Sequence, residues 1–126
     1  CAGSLGANPA NDLPALARRF AHRTHFAHLR NVRKVPDGSF EEAAHLDGDT
    51  DIVAVIKSLC DEGAASNRSI PFRPDHGLFP YTRSSDLAAQ DLGMTLAVHP
   101  DDPLVGRLRG LAELRGVIAG LRHQTA

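Results

Sequence analysis

Arg73-Pro74-Asp75-His76-Gly77 sets a guanidinium, a carboxylate and an imidazole side by side, directly after a short apolar run from Ile70 to Phe72. Those three groups can grip an anion, ligate a metal and move a proton. Pro74 cannot donate to a sheet ladder and pushes Arg73 toward an extended conformation, while Gly77 permits a sharp exit. A strand is therefore predicted to stop here with polar side chains at its tip. On one face of such a strand, Arg73 can hold an anionic substrate group beside a metal-ligating Asp75. Read alone, Asp75-His76 is also an ordinary turn, because aspartate bonds readily to its own backbone.

Two further tips lie upstream. Thr24-His25-Phe26-Ala27-His28 alternates like a strand and runs into Arg30-Asn31, and Cys1-Ala2-Gly3-Ser4-Leu5-Gly6 reads as the end of a strand entering a Gly-rich loop. Cys1, His28 and Asp75 then offer a thiolate, an imidazole and a carboxylate, a set suited to manganese, iron or zinc. Their separations fit one strand-helix unit each, the second enlarged, and are unlike a compact zinc-finger pattern. The plain alternative for His28 is a packed strand histidine bonded to backbone. His25, three positions away, faces the other side of the strand. His45 with Asp47, Asp49 and Asp51 is either a binding cluster or a solvated helix start favoured by the helix dipole. His22, His99 and His123 read as surface residues.

The elements that must position these groups alternate. Asn11 is the predicted cap of a helix of about three turns, with Pro14 in its first turn and Leu13, Leu16, Ala17 and Phe20 as its apolar stripe. The strand ending at His28 follows, then a polar loop from Asn31 to Ser39. A second helix starts near Thr50, carries Ile52, Val53, Val55, Ile56, Leu59 and Cys60, and stops at Gly63. The strand Ser69 to Arg73 comes next. The last helix runs from about Pro103 to Arg122, with Leu104, Leu108, Leu111, Leu114, Ile118 and Leu121 on its buried side. Alternating strands and helices point to parallel strands with crossover helices, whose carboxyl ends are where such folds put their chemistry. Three strands cannot close a barrel, so the expectation is a part of a larger α/β barrel.

Composition narrows the classes. The 126 residues are 42% hydrophobic, enough for one modest core and too few for two domains. A net charge of -1, from 14 basic and 15 acidic residues spread along the chain, carries no footprint for nucleic acid or an anionic membrane. No apolar run approaches the roughly 20 residues of a membrane span. Cys1 and Cys60, in unlike settings, suggest a reducing, cytoplasmic compartment more than a disulfide framework. A first residue other than methionine leaves a piece of a longer protein or an acylated lipoprotein, and the ordered pattern within the first ten residues favours the piece.

CAGSLGANPANDL, HFAHLRNV, GSFEEAAHLDGDTD, IPFRPDHG and GRLRGLAELRGVIAGL, in this order, resemble the carboxyl-terminal part of the mannonate dehydratase family over roughly residues 1 to 77 and 103 to 121. Five ordered motifs are more specific than any one. The resemblance implies a TIM-type (β/α)8 barrel related to xylose isomerase, of which residues 1–126 form a partial domain. It implies a lyase that dehydrates D-mannonate to 2-keto-3-deoxy-D-gluconate in hexuronate (glucuronate) catabolism, with Mn2+ or Fe2+. It further implies Cys1, His28 and Asp75 as metal ligands, another histidine ligand outside this chain, and Arg73 and His76 as the residues that act on substrate. The expected partner is the small sugar acid, with neither nucleic acid nor membrane, and with a homo-oligomer at full length. The segment 78 to 102 departs from the family's pattern: Asp102 stands where the family has a tyrosine, and Tyr81 is the one tyrosine in the chain. A metal-dependent sugar isomerase on the same barrel would be expected to show more carboxylates and a lysine. A non-catalytic fragment is the third reading, and residues 1–126 alone are expected to be inactive.

Overall fold

The computed structural model describes residues 1–75 and 104–124. The chain opens with a short helix α1 (Ala2–Gly6), then α2 (Leu13–Phe20) and a single 3-10 turn, Ala21–Arg23. Strand β1 (Ala27–His28), the hairpin β2 (Asn31–Lys34) and β3 (Phe40–Ala43), helix α3 (Ile52–Ala65), strand β4 (Phe72–Arg73) and helix α4 (Leu104–Gln124) follow. β1 and β4 pair in parallel, Ala27 opposite Phe72 and His28 opposite Arg73, with α3 lying between them in the chain. This α/β arrangement is the predicted one, and both strand tips point the same way.

Several local expectations are corrected. Cys1 precedes the helix α1 and does not end a strand into an irregular loop. The cap of α2 is Asp12, whose carboxylate accepts the Ala15 N–H at 2.9 Å, while Asn11 instead donates to the Leu5 carbonyl at 2.8 Å. The loop predicted from Asn31 to Ser39 is largely a hairpin: β2 and β3 pair antiparallel from Asn31 opposite Ala43 to Lys34 opposite Phe40. Its turn uses Gly38 at φ +89° and an Asp37 carboxylate that accepts from both the hydroxyl and the N–H of Ser39, which hold its pKa below the ordinary 3.8.

Helix α3 begins at its Asp51 cap and runs past Gly63. Its exit is made by Asn67, at φ 49°, and the chain returns so closely that the Arg68 N–H donates to the Gly63 carbonyl at 3.0 Å. A Cβ on Gly63 would stand 2.9 Å from the Arg68 oxygen, so glycine serves here through close approach. The Arg68 guanidinium then donates to the Thr24 and Ala21 carbonyls at 2.7 and 2.6 Å, tying this exit to the 3-10 turn.

Leu13, Ala21, Leu29, Ile52, Val55, Ile56, Leu59, Ile70 and Leu114 form the buried core. Helix α4 faces it through only part of the predicted stripe: Leu114 is 4% exposed and Ile118 and Leu121 pack against the core, whereas Leu108 and Leu111 are 57% and 39% exposed. Gly106 and Gly110, one turn apart on the Leu114 side, are the buried positions instead. Among the described residues no helix is long and apolar enough to cross a membrane.

One fully buried amide ties the hairpin to α3. Asn31 Nδ2 donates to the His45 and Thr50 carbonyls at 2.8 and 2.9 Å, and its Oδ1 accepts from Val32 N–H at 2.9 Å and Thr50 N–H at 3.1 Å. Gly48 lies against it, where a Cβ would come within 2.4 Å of the amide. Replacing Asn31 by Leu keeps the volume and strands these buried partners, each at about 1–3 kcal/mol. Asn31→Leu should therefore lower unfolding free energy, in the protein carrying this chain, by on the order of 3 kcal/mol or more. Denaturant titration checks this, and a loss below about 1 kcal/mol would show that the amide is dispensable.

Candidate active site

The parallel pair β1 and β4 brings together two of the residues singled out from the sequence. His28 is the last residue of β1, and Asp75 lies two residues beyond β4. The main chain locks their strands by Ala27 N–H to Pro71 O and Leu29 N–H to Arg73 O, both 3.0 Å. Leu29, between His28 and Arg30, is turned fully into the core, so alternation sends His28 the other way. His28 Nε2 and Asp75 Oδ1 meet at 3.1 Å, with the two side chains 21% and 11% exposed.

Cys1 is exposed and shares with His28 the lining of a cavity of about 520 Å3 that also takes in Leu5, Leu16 and Phe26. Among the described residues, no three His, Cys, Asp or Glu side chains stand close enough to hold one ion. The structure thus gathers His28 and Asp75, with Cys1 on the rim of the adjoining cavity. Arg73 sits opposite His28 in the ladder, is exposed and has no ion-pair partner among the described residues. His76 lies outside the described residues, as do Tyr81 and Asp102.

The donors fit a transition metal on chemical grounds. His28 Nε2 and Asp75 Oδ1, 3.1 Å apart, are two donor atoms directed at each other at the strand tips. Imidazole with carboxylate suits manganese and iron.

His45, weighed from the sequence only as part of a polar cluster, belongs to this site. It is 6% exposed, and its Nε2 accepts the Asp75 backbone N–H at 3.1 Å. An accepting Nε2 leaves the proton of the neutral ring on Nδ1, which faces Glu113 Oε2 of α4 at 3.8 Å. Glu113 Oε1 in turn accepts from Arg109 Nε at 2.6 Å, and Arg109 Nη2 reaches Asp47 Oδ2 at 3.3 Å. Gly110 lies flat on the ring: a Cβ there would stand 2.4 Å from His45 Cε1. The sequence signal was a glycine, Gly110, inside a helical pattern, which marks close approach. Arg30, two residues past His28, runs along Gly3 toward Ser4 and Glu42, with its buried Nε making no hydrogen bond.

Burial pushes the His45 pKa below its ordinary 6.5, against the raising influence of Glu113 and Asp75 and with the lowering influence of His28 and Arg109. A histidine with a depressed folded pKa is protonated first in the unfolded chain, so its contribution to stability is present above about pH 6.5 and declines as pH falls below it. The metal-free protein should lose melting temperature on acidification from pH 7 to 5, and His45→Gln should flatten that loss. Parallel curves for the two proteins would exclude His45 as its source.

The comparisons with known proteins agree with one another. The family model described as D-mannonate dehydratase (UxuA) matches residues 1–83. The chain is similar to the mannonate dehydratase of Saccharophagus degradans, 47% identical over 127 residues that are 96% of this chain and 30% of that protein. It is similar to that of Rhizobium meliloti, 45% identical over 136 residues, 99% of this chain and 31% of that protein. The crystal structure of mannonate dehydratase from Streptococcus suis serotype2 superposes with a TM-score of 0.52 at 38% identity, over 61% of this chain and 22% of that one. The chain spans about 30% of the length of the curated relatives it matches.

Proposed function

This chain belongs to the mannonate dehydratase family, and on that premise we propose that the protein carrying it removes water from D-mannonate to give 2-keto-3-deoxy-D-gluconate, as a metal-dependent step of hexuronate breakdown in the cytoplasm. The observation that carries the chemistry is the convergence of His28 and Asp75 at the carboxyl ends of adjacent parallel strands. That location supports reading β1 and β4 as neighbouring staves of a TIM-type barrel, where active sites sit at this end.

Within that reading Cys1, His28 and Asp75 hold Mn2+ or Fe2+. When bound, the ion supplies positive charge that stabilises the anion formed as a proton leaves the carbon beside a carboxylate. The chain's own residues supply the rest. Arg73, exposed beside His28 in the ladder, is the cation for the substrate carboxylate, because a guanidinium pairs with that group through two parallel hydrogen bonds. His76 moves the proton: imidazole titrates near neutrality and can take a proton from carbon or give one to the departing hydroxide. The β3–α3 connection and α4 back the strand tips with the largely buried side chains of His45 and Glu113.

Two sets of variants test this in the protein carrying the chain. Cys1→Ser, His28→Ala and Asp75→Asn should each weaken manganese or iron binding at least about tenfold, since each removes a direct donor. Unchanged metal content in all three, by elemental analysis, would refute the ligand set. His76→Asn should keep the metal and lower turnover by roughly two to four orders of magnitude. Near-parental turnover of the metal-loaded variant would remove His76 from proton transfer.

A further inference from the structure

His45 touches the site from behind, through a backbone group. Asp75 follows Pro74 beyond the last ladder pair of β4, so strand pairing no longer fixes its peptide plane. The hydrogen bond from Asp75 N–H to His45 Nε2 does so instead. Rotation of that peptide about the chain would swing the carboxylate away from His28, which lies 3.1 Å off.

The imidazole is itself held on every side the structure describes. Its own carbonyl accepts from Asn31, its Nδ1 edge faces Glu113, and its Cε1 edge lies on the Gly110 backbone, where no side chain larger than hydrogen leaves room for the ring. Glu113 Oε2 is buried with no hydrogen-bond partner, and the Nδ1–H of the ring is the donor facing it. Three elements, the β3–α3 connection, the end of β4 and helix α4, thus meet on one ring.

We propose that His45 is a positioning residue that sets the Asp75 carboxylate for metal binding by accepting the Asp75 amide N–H, with helix α4 holding the ring at the required distance. This rests on the assignment of Asp75 as a metal ligand and extends it to a residue that touches neither metal nor substrate. Outer groups of this kind typically change metal affinity by about 10–100-fold when removed.

The test uses the protein carrying this chain and two readouts: the Mn2+ dissociation constant, and deuterium exchange of the Asp75 amide in the metal-free state. Glutamine can present an acceptor near the position of Nε2, whereas leucine fills the space without one. His45→Leu should speed Asp75 exchange and weaken Mn2+ binding by about 10–100-fold, and His45→Gln should restore both to within a few-fold of the parent. Gly110→Ala, which drives a methyl group into the ring from the helix side, should reproduce the leucine result without altering any polar group, and serves where His45→Leu fails to fold. Asp75→Asn is run beside them. If Asp75→Asn loses Mn2+ while folded His45→Leu or Gly110→Ala binds it as the parent does, the positioning role is overturned and the ligand assignment stands. If Asp75→Asn binds Mn2+ as the parent does, the ligand assignment falls, and the positioning role with it.

Discussion

The arrangement of the site depends on one amide that water never reaches. Asn31 spends both of its N–H groups on carbonyls of the segment between β3 and α3, and its oxygen on two N–H groups. A buried amide with its hydrogen bonds satisfied on both sides permits few alternative geometries, since any shift strands a group in low dielectric. Holding Thr50 at both its N–H and its C=O fixes the residue before the Asp51 cap, and so the point and direction from which α3 departs. Holding the His45 carbonyl fixes where the imidazole starts. Core helix and site histidine are therefore set by the same side chain, and Gly48 gives it room by having no Cβ.

What could be read from the sequence was what depends on short-range pattern. The apolar period of residues 52 to 60 located α3, and the polar clusters after His28 and Phe72 located the strand tips that meet in parallel. What could not be read depends on partners far along the chain. The hairpin from Asn31 to Ala43 is charged on its exposed side, with Arg33 paired to Glu41 across the strands, so it lacks an apolar alternation. Its turn signal, Pro36-Asp37-Gly38, was present. The second half of helix α4 was legible, with Leu114, Ile118 and Leu121 toward the core, but Leu108 and Leu111 were placed on the wrong side because leucines outweigh glycines in a reading of periodicity. There the helix seats Gly106 and Gly110 inward, and Gly110 lies against a ring contributed by a residue more than sixty positions earlier.

The polar groups behind the strand tips form a graded series. His28 and Asp75 meet each other directly at the tip. Behind them, the neutral ring of His45 faces a carboxylate that is in turn held by Arg109, and Arg109 reaches the more exposed Asp47. Charge is neutralised stepwise toward the surface, so the carboxylate nearest the buried ring is already bonded to a guanidinium. This satisfies the requirement that a buried charge be paired.

The contact of Gly110 with His45 also has a meaning in time. Ribosomes deliver residues 45 and 75 well before residues 110 and 113, and segments made earlier begin to fold earlier. Until α4 is synthesised and docks, the ring of His45 lacks both the Gly110 backbone on its Cε1 edge and the Glu113 carboxylate at its Nδ1 edge. Arrival of the helix is thus the event that encloses the ring, so the nascent site is completed late, in an order set by the order in which the chain is made.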